Sequence, residues 1–241
     1  MILNILLILV ASLVVIAALT IAYLYFMVSK LPKVKANGIR VACIGDSVTQ
    51  GMGVAFNNPD QNSYPALLQG MLGSKYQVLN YGHSGRTLLT SGDQPYRQSP
   101  FFAASLKSEP AIVLIMLGSN DSKPHNWNAA EYERQLTEFA QLYRALASQP
   151  SVYLLIPPPA FIAKGKKEVA FKISDAVLEK EILPAVKRVA GQLNIPFIDI
   201  FSALKDHPEY FPDGVHPNAS GDKVIAQTVY VDLPDLLKQG I

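Results

Sequence analysis

Residues 39–51 read Ile39-Arg40-Val41-Ala42-Cys43-Ile44-Gly45-Asp46-Ser47-Val48-Thr49-Gln50-Gly51, and the fold turns on how that stretch is taken. Its first six residues are apolar apart from Arg40, which is too short a run for a helix and lacks the alternation of a strand wetted on one face. Such a run suits a strand covered on both faces, as in a parallel sheet. Four similar runs follow: Gln77 to Tyr81, Ala111 to Leu117, Val152 to Ile156 and Phe197 to Ile200. Between them, Tyr64 to Leu72, Ala129 to Ser148 and Ser174 to Leu193 place apolar residues at i, i+3 and i+4, the spacing of core-facing helices. A last helix is expected from about Ser220 to Val231.

Buried strands alternating with helices predict an α/β fold, a three-layer α/β/α sandwich with right-handed crossovers around a five-stranded parallel sheet. Five strands suit a flavodoxin-like order, in which ligands bind beyond the carboxyl ends of the strands. At 241 residues the chain has room for one such domain, expected over 39–241, preceded by a linker over 30–38. Lys and Arg number 21 against 19 Asp and Glu, and after residue 40 the cations gather into no basic stripe, so nucleic acid is not an expected partner. Cys43 is the single cysteine, which rules out an intramolecular disulfide and leaves the redox compartment open.

Residues 1–29 have another character. Ile2 to Val28 carries no charge and is broken only by Asn4, Ser12 and Thr20. As a helix it would exceed the ~30 Å hydrocarbon thickness of a bilayer and fit with some tilt. The reading is a single-pass membrane anchor in preference to a cleaved signal, because a basic start, a short apolar core and a small-residue cleavage site are all lacking. Lys30, Lys33, Lys35 and Arg40 all follow the segment, which by the positive-inside rule sets that side in the cytoplasm. An anchored domain can equally be held outside the cell, so both placements stay open.

The first strand ends in Gly45-Asp46-Ser47, a position where a serine is accessible. Serine is a weak nucleophile at neutral pH and needs a base, itself held by a third group. Asp213-Gly214-Val215-His216 can supply both, since three residues of separation bring a carboxylate beside its own histidine. Oxyanion donors are expected from the Ser47 N–H, the Gly82 N–H and the Asn120 amide, each at a strand end. Asp121 is expected to accept hydrogen bonds from loop backbone, and His83 and Ser84 to shape their loop. His125 and His207 fit no HExxH or paired-cysteine pattern, so no metal is expected. A non-catalytic nucleotide- or phosphate-binding module is the rival from another class, but Gly45, Gly51 and Gly53 match neither GxGxxG nor GxxxxGK[ST]. No GxSxG elbow is present either.

Four blocks together resemble the SGNH hydrolases, also called GDSL esterases or lipases: Gly45 to Gly51, Gly82, Gly118 to Asp121, and Asp213 to His216. The similarity runs over about residues 39–232. It implies a flavodoxin-like fold, a Ser-His-Asp mechanism through an acyl-enzyme, and no metal or organic cofactor. Ser122 to Trp127 and Asp213 to Ser220 look like the bacterial branch called sialate or carbohydrate O-acetylesterases, so a short O-acyl ester of a small molecule or glycan is the expected substrate. In that setting Trp127 is a candidate for stacking on a sugar ring. A lysophospholipase or thioesterase, and an acyltransferase using the same triad, are the alternatives.

Overall fold

The structure, a computed structural model, describes residues 10–17, 19–20, 30–56 and 58–233. The chain separates into two units, Met1–Lys30 and Leu31–Ile241. In the first, residues 10–17 and 19–20 are helical. Most of the expected membrane-spanning segment lies outside the described residues, and among these no helix is long and apolar enough to cross a membrane. The described residues therefore lend the anchor no support.

The second unit holds five parallel strands: β1 (Ile39–Gly45), β2 (Tyr76–Gly82), β3 (Ile112–Met116), β4 (Ser151–Ile156) and β5 (Phe197–Asp199). They lie in the order β2-β1-β3-β4-β5, as expected of a flavodoxin-like sheet. Gly45 pairs in register with Gly82 on one side and Met116 on the other, so the central strands end level and their following loops share one edge.

The continuous apolar runs are explained by the two cores. Ala42 and Ile44 of β1 face one side with Val113, Ile115, Leu154 and Ile156. Val41 and Cys43 face the other with Leu114, Met116, Leu155 and Ile198. The first side is covered by α3 (Pro100–Lys107), α4 (Ala129–Arg144) and α5 (Leu183–Leu193). The second is covered by α2 (Tyr64–Leu72) and α6 (Ala219–Asp232), while α1 (Ser47–Gln50) is the single turn that leaves β1. With helices on both faces, a polar side chain at a buried strand position needs a buried partner.

Two departures have local causes. Helix α3 lacks a readable period because it is only eight residues long; Pro100 at its start and Ser99, whose side chain accepts from the Phe101 N–H, fix it instead. The helix expected over Ser174 to Leu193 is interrupted by a π turn at Leu178–Ile182 just before Pro184. Proline has no N–H to return to the preceding turn, and a wider turn accommodates the loss. The expected linker is tied to edge strand β2, since the buried Gln77 amide donates to the Lys33 carbonyl and accepts from the Lys35 N–H.

Candidate active site

Ser47 opens α1 at the end of β1, where the Asp46 carboxylate caps the turn by accepting from the Val48 N–H at 3.0 Å. His216 and Asp213 come from the loop before α6, and the fold brings them to Ser47 across 169 residues of sequence. Ser47 Oγ lies 2.9 Å from His216 Nε2, and His216 Nδ1 lies 2.6 Å from Asp213 Oδ2. The other Asp213 oxygen accepts from the N–H groups of His216 at 2.7 Å and Val215 at 2.9 Å. Burial pushes the Asp213 carboxyl up, but the His216 side chain and these two N–H donors outweigh it and hold the group at about 2. It is then an ionised acceptor at neutral pH, so Nδ1 carries the proton toward it and Nε2 is left to accept from the serine hydroxyl. This chain of contacts can draw a proton from Ser47 as its oxygen attacks a carbonyl.

Ser47 and His216 line a cleft of about 260 Å³ that also includes Met52, Ser84, Gly85 and Asn120. Lys123 sits on its wall and pairs with Asp93 at 3.3 Å. Phe171, Ile173 and Val215 make the remaining wall apolar, and the Phe171 ring stands edge-on to the His216 imidazole with centroids 5.4 Å apart.

Of the three expected oxyanion donors, the Ser47 N–H and Asn120 are at the cleft, and Gly82 is not among the residues that line it. The Gly82 N–H donates to Asn80 Oδ1 at 2.9 Å. A Cβ on Gly82 would sit 2.2 Å from the Gln50 nitrogen and 2.6 Å from the Thr49 carbonyl carbon, so glycine is required there for β2 to pack against α1. The residue that sequence reasoning missed is Gly85. It lines the cleft with a φ of 78°, and among the described residues nothing accepts its N–H. Gln50 holds this loop in place, because its side-chain oxygen accepts from the Ser84 N–H at 2.7 Å. The signal available was the second glycine of Gly82-His83-Ser84-Gly85, but nothing in the sequence says which of the two N–H groups is left unpaired.

The Asn120 amide nitrogen donates to Asp46 Oδ2 at 3.3 Å and to the Arg86 carbonyl at 3.2 Å, both near the long limit of a hydrogen bond. Buried Asp121 accepts from the Leu88 and Leu89 N–H groups at 3.0 and 2.8 Å, as expected for a loop anchor, and burial pushes its carboxyl up to about 7. Trp127 lies apart from the cleft lining. Its ring, half-buried, packs on Tyr132 at 5.3 Å and its N–H donates to Glu181 at 2.7 Å. Among the described residues no cluster of three or more His, Cys, Asp or Glu could hold a metal ion.

The model of the GDSL-like lipase/acylhydrolase family matches residues 43–224, which runs from the end of β1 into the first turns of α6 and takes in every cleft residue named above. The chain belongs to the GDSL-like lipase/acylhydrolase family. Its relatives within that family include an acetylxylan esterase of Xylanibacter ruminicola, 35% identical over 218 residues, covering 83% of this chain and 44% of that protein. The chain spans about half the length of the curated relatives it matches. A carbohydrate acetylesterase family member from Sinorhizobium meliloti superposes with a TM-score of 0.67 at 24% identity, over 83% of this chain and 99% of that one. An aryl esterase of M. smegmatis superposes with a TM-score of 0.61 at 20% identity, over 80% and 98% of the two chains. Both likenesses extend the family fold seen here to solved structures.

Proposed function

We propose that this protein is a serine esterase of short O-acyl groups, with acetyl on a carbohydrate as its substrate. In this reading Ser47 attacks the ester carbonyl, His216 takes the proton and returns it to the leaving alcohol, and Asp213 fixes the imidazole. Water then repeats the sequence on the acyl-enzyme. The observation that carries the reading is the continuous chain from Ser47 Oγ through His216 to Asp213, at 2.9 and 2.6 Å.

The oxyanion donors in this reading are the N–H groups of Ser47 and Gly85 and the Asn120 amide. The unpaired Gly85 N–H favours Gly85 over Gly82, whose N–H is already used by Asn80. An oxyanion can displace one of the long Asn120 contacts at little cost, since a charged acceptor binds an amide more strongly than a neutral carbonyl does. A cleft of about 260 Å³ is below the ~300–1,000 Å³ usual for ligand pockets, which supports a short acyl chain. The acetylxylan esterase relative supports acetyl on a sugar.

The test is hydrolysis of acetyl, butyryl and octanoyl p-nitrophenyl esters by the full chain beside Ser47→Ala. Activity that is strongest on acetyl and lost in the variant is the expected result. A preference for octanoyl moves the reading to a lipid or thioester substrate, equal hydrolysis by the two proteins overturns the triad, and no hydrolysis by either favours a binding module. We also propose that the uncharged segment Ile2 to Val28 tethers the protein to a membrane. Extraction of cell membranes with alkaline carbonate should leave the full chain in the pellet, and its release would refute the tether.

A further inference from the structure

A second cavity, of about 720 Å³, adjoins the catalytic cleft: Phe171 lines both, and Asp213, whose carboxylate holds His216, lies on its wall. Its lining carries Lys164, Lys166, Lys167 and Lys172. Among the described residues none of these four ammonium groups has an ion-pair or hydrogen-bond partner. Against them the lining sets only Glu168 and Asp213, and the latter is already turned to His216. Four like charges within nine residues repel one another, and on this lining only Glu168 is left to offset them. The segment is also held in a costly shape, because Phe171 and Lys172 both take left-handed backbone at φ 57° and 61°. Non-glycine residues keep that conformation where their surroundings impose it, often beside ligand sites.

We infer that this cavity is a subsite for the alcohol half of an anionic ester, a carboxylate-bearing O-acylated oligosaccharide. The inference rests on the esterase reading and specifies its substrate. With the ester carbonyl at Ser47, the remainder of a sugar chain leaving past Phe171 enters a concave wall of lysines. Lysine is a mobile point charge that suits carboxylates spread along a polymer, whereas a single fixed oxyanion group is better met by the fork of arginine, and the lining has none. The concavity and the shared Phe171 wall favour a substrate over a flat anionic membrane. Clefts lined by one sign of charge concentrate counter-charged ligand and raise its on-rate roughly 10- to 1,000-fold.

The experiment compares kcat/KM of the full chain on an O-acetylated oligogalacturonate and on the same oligosaccharide with its carboxylates methyl-esterified. In the wild type the charged ester should be preferred, and the preference should shrink as salt rises. In the variant with Lys164, Lys166, Lys167 and Lys172 all changed to Gln the charged-to-neutral ratio should fall roughly tenfold or more, mainly through KM. The matching Lys→Arg variant should retain the ratio. A ratio unchanged in the Gln variant, with Ser47-dependent hydrolysis intact, overturns the subsite alone. Loss of binding to phosphatidylserine vesicles in the Gln variant with that ratio unchanged also overturns it, in favour of a membrane contact. Hydrolysis that survives Ser47→Ala overturns the esterase reading itself.

Discussion

Gly82→Ala separates two roles that a glycine at the end of β2 could have. The added Cβ would stand 2.2 Å from the Gln50 nitrogen, where ordinary contact begins at 3.4 Å, so β2 and α1 must part by about 1.2 Å. Both contacting atoms are backbone, and neither can rotate away. Overpacking of this kind costs about 1–3 kcal/mol, which in a domain of this size lowers Tm by about 2–4 °C per kcal/mol. Helix α1 also carries Ser47 at its first position. A shift of about 1 Å there costs on the order of 10²-fold in kcat. Thermal melting and p-nitrophenyl acetate hydrolysis on the same preparation give both numbers. Alanine keeps the backbone N–H, so if Gly82 served only as a donor the variant would melt and turn over like the wild type. That outcome would refute the packing argument.

Asp213→Asn should lower kcat by roughly 10³- to 10⁴-fold with little change in KM, because an amide does not hold the imidazole with Nε2 free to accept. Asp213 is held at about 2, below its ordinary 3.8, so its contribution to stability is present above the ordinary value and is lost as pH falls through about 2. Urea midpoints of wild type and Asp213→Asn should therefore converge only in strong acid. Asp222 titrates in the opposite sense: it is fully buried, accepts from the Tyr64 N–H at 3.0 Å, and is pushed up by burial to about 8 from 3.8. Between those values the folded chain holds a proton that the unfolded chain releases, so stability from this group falls as pH rises, by at most about 1.4 kcal/mol per pH unit. Asp222→Asn should flatten that slope in urea titrations from acid to mildly alkaline pH, and an unchanged slope would show that Asp222 is not its source.

The sequence by itself determined the layers, because burial on both faces leaves a local record: Ile39 to Ile44 and Ala111 to Leu117 are apolar without alternation, and the helices between them keep their period; the order of the sheet was only an expectation from the number of strands. It also determined the Asp213–His216 pair, since a contact across three residues needs only a local turn, here closed by Val215 and His216 N–H groups on one carboxylate oxygen. Only the tertiary structure decided which N–H remains free at the cleft. Gly82 and Gly85 are equivalent as letters, and the difference lies in Asn80, which takes one N–H, and in Gln50 at the end of α1, which holds the backbone of Ser84 next to the other. It likewise turned Trp127 onto Tyr132 and Glu181, residues 5 and 54 positions away. Lys164 to Lys172 carry no motif in the sequence, and it is the fold that sets them beside Asp213, more than 40 residues on. Periodicity records which face of an element is buried. The partners that meet across loops depend on strand register and helix packing, which no stretch of the chain encodes on its own.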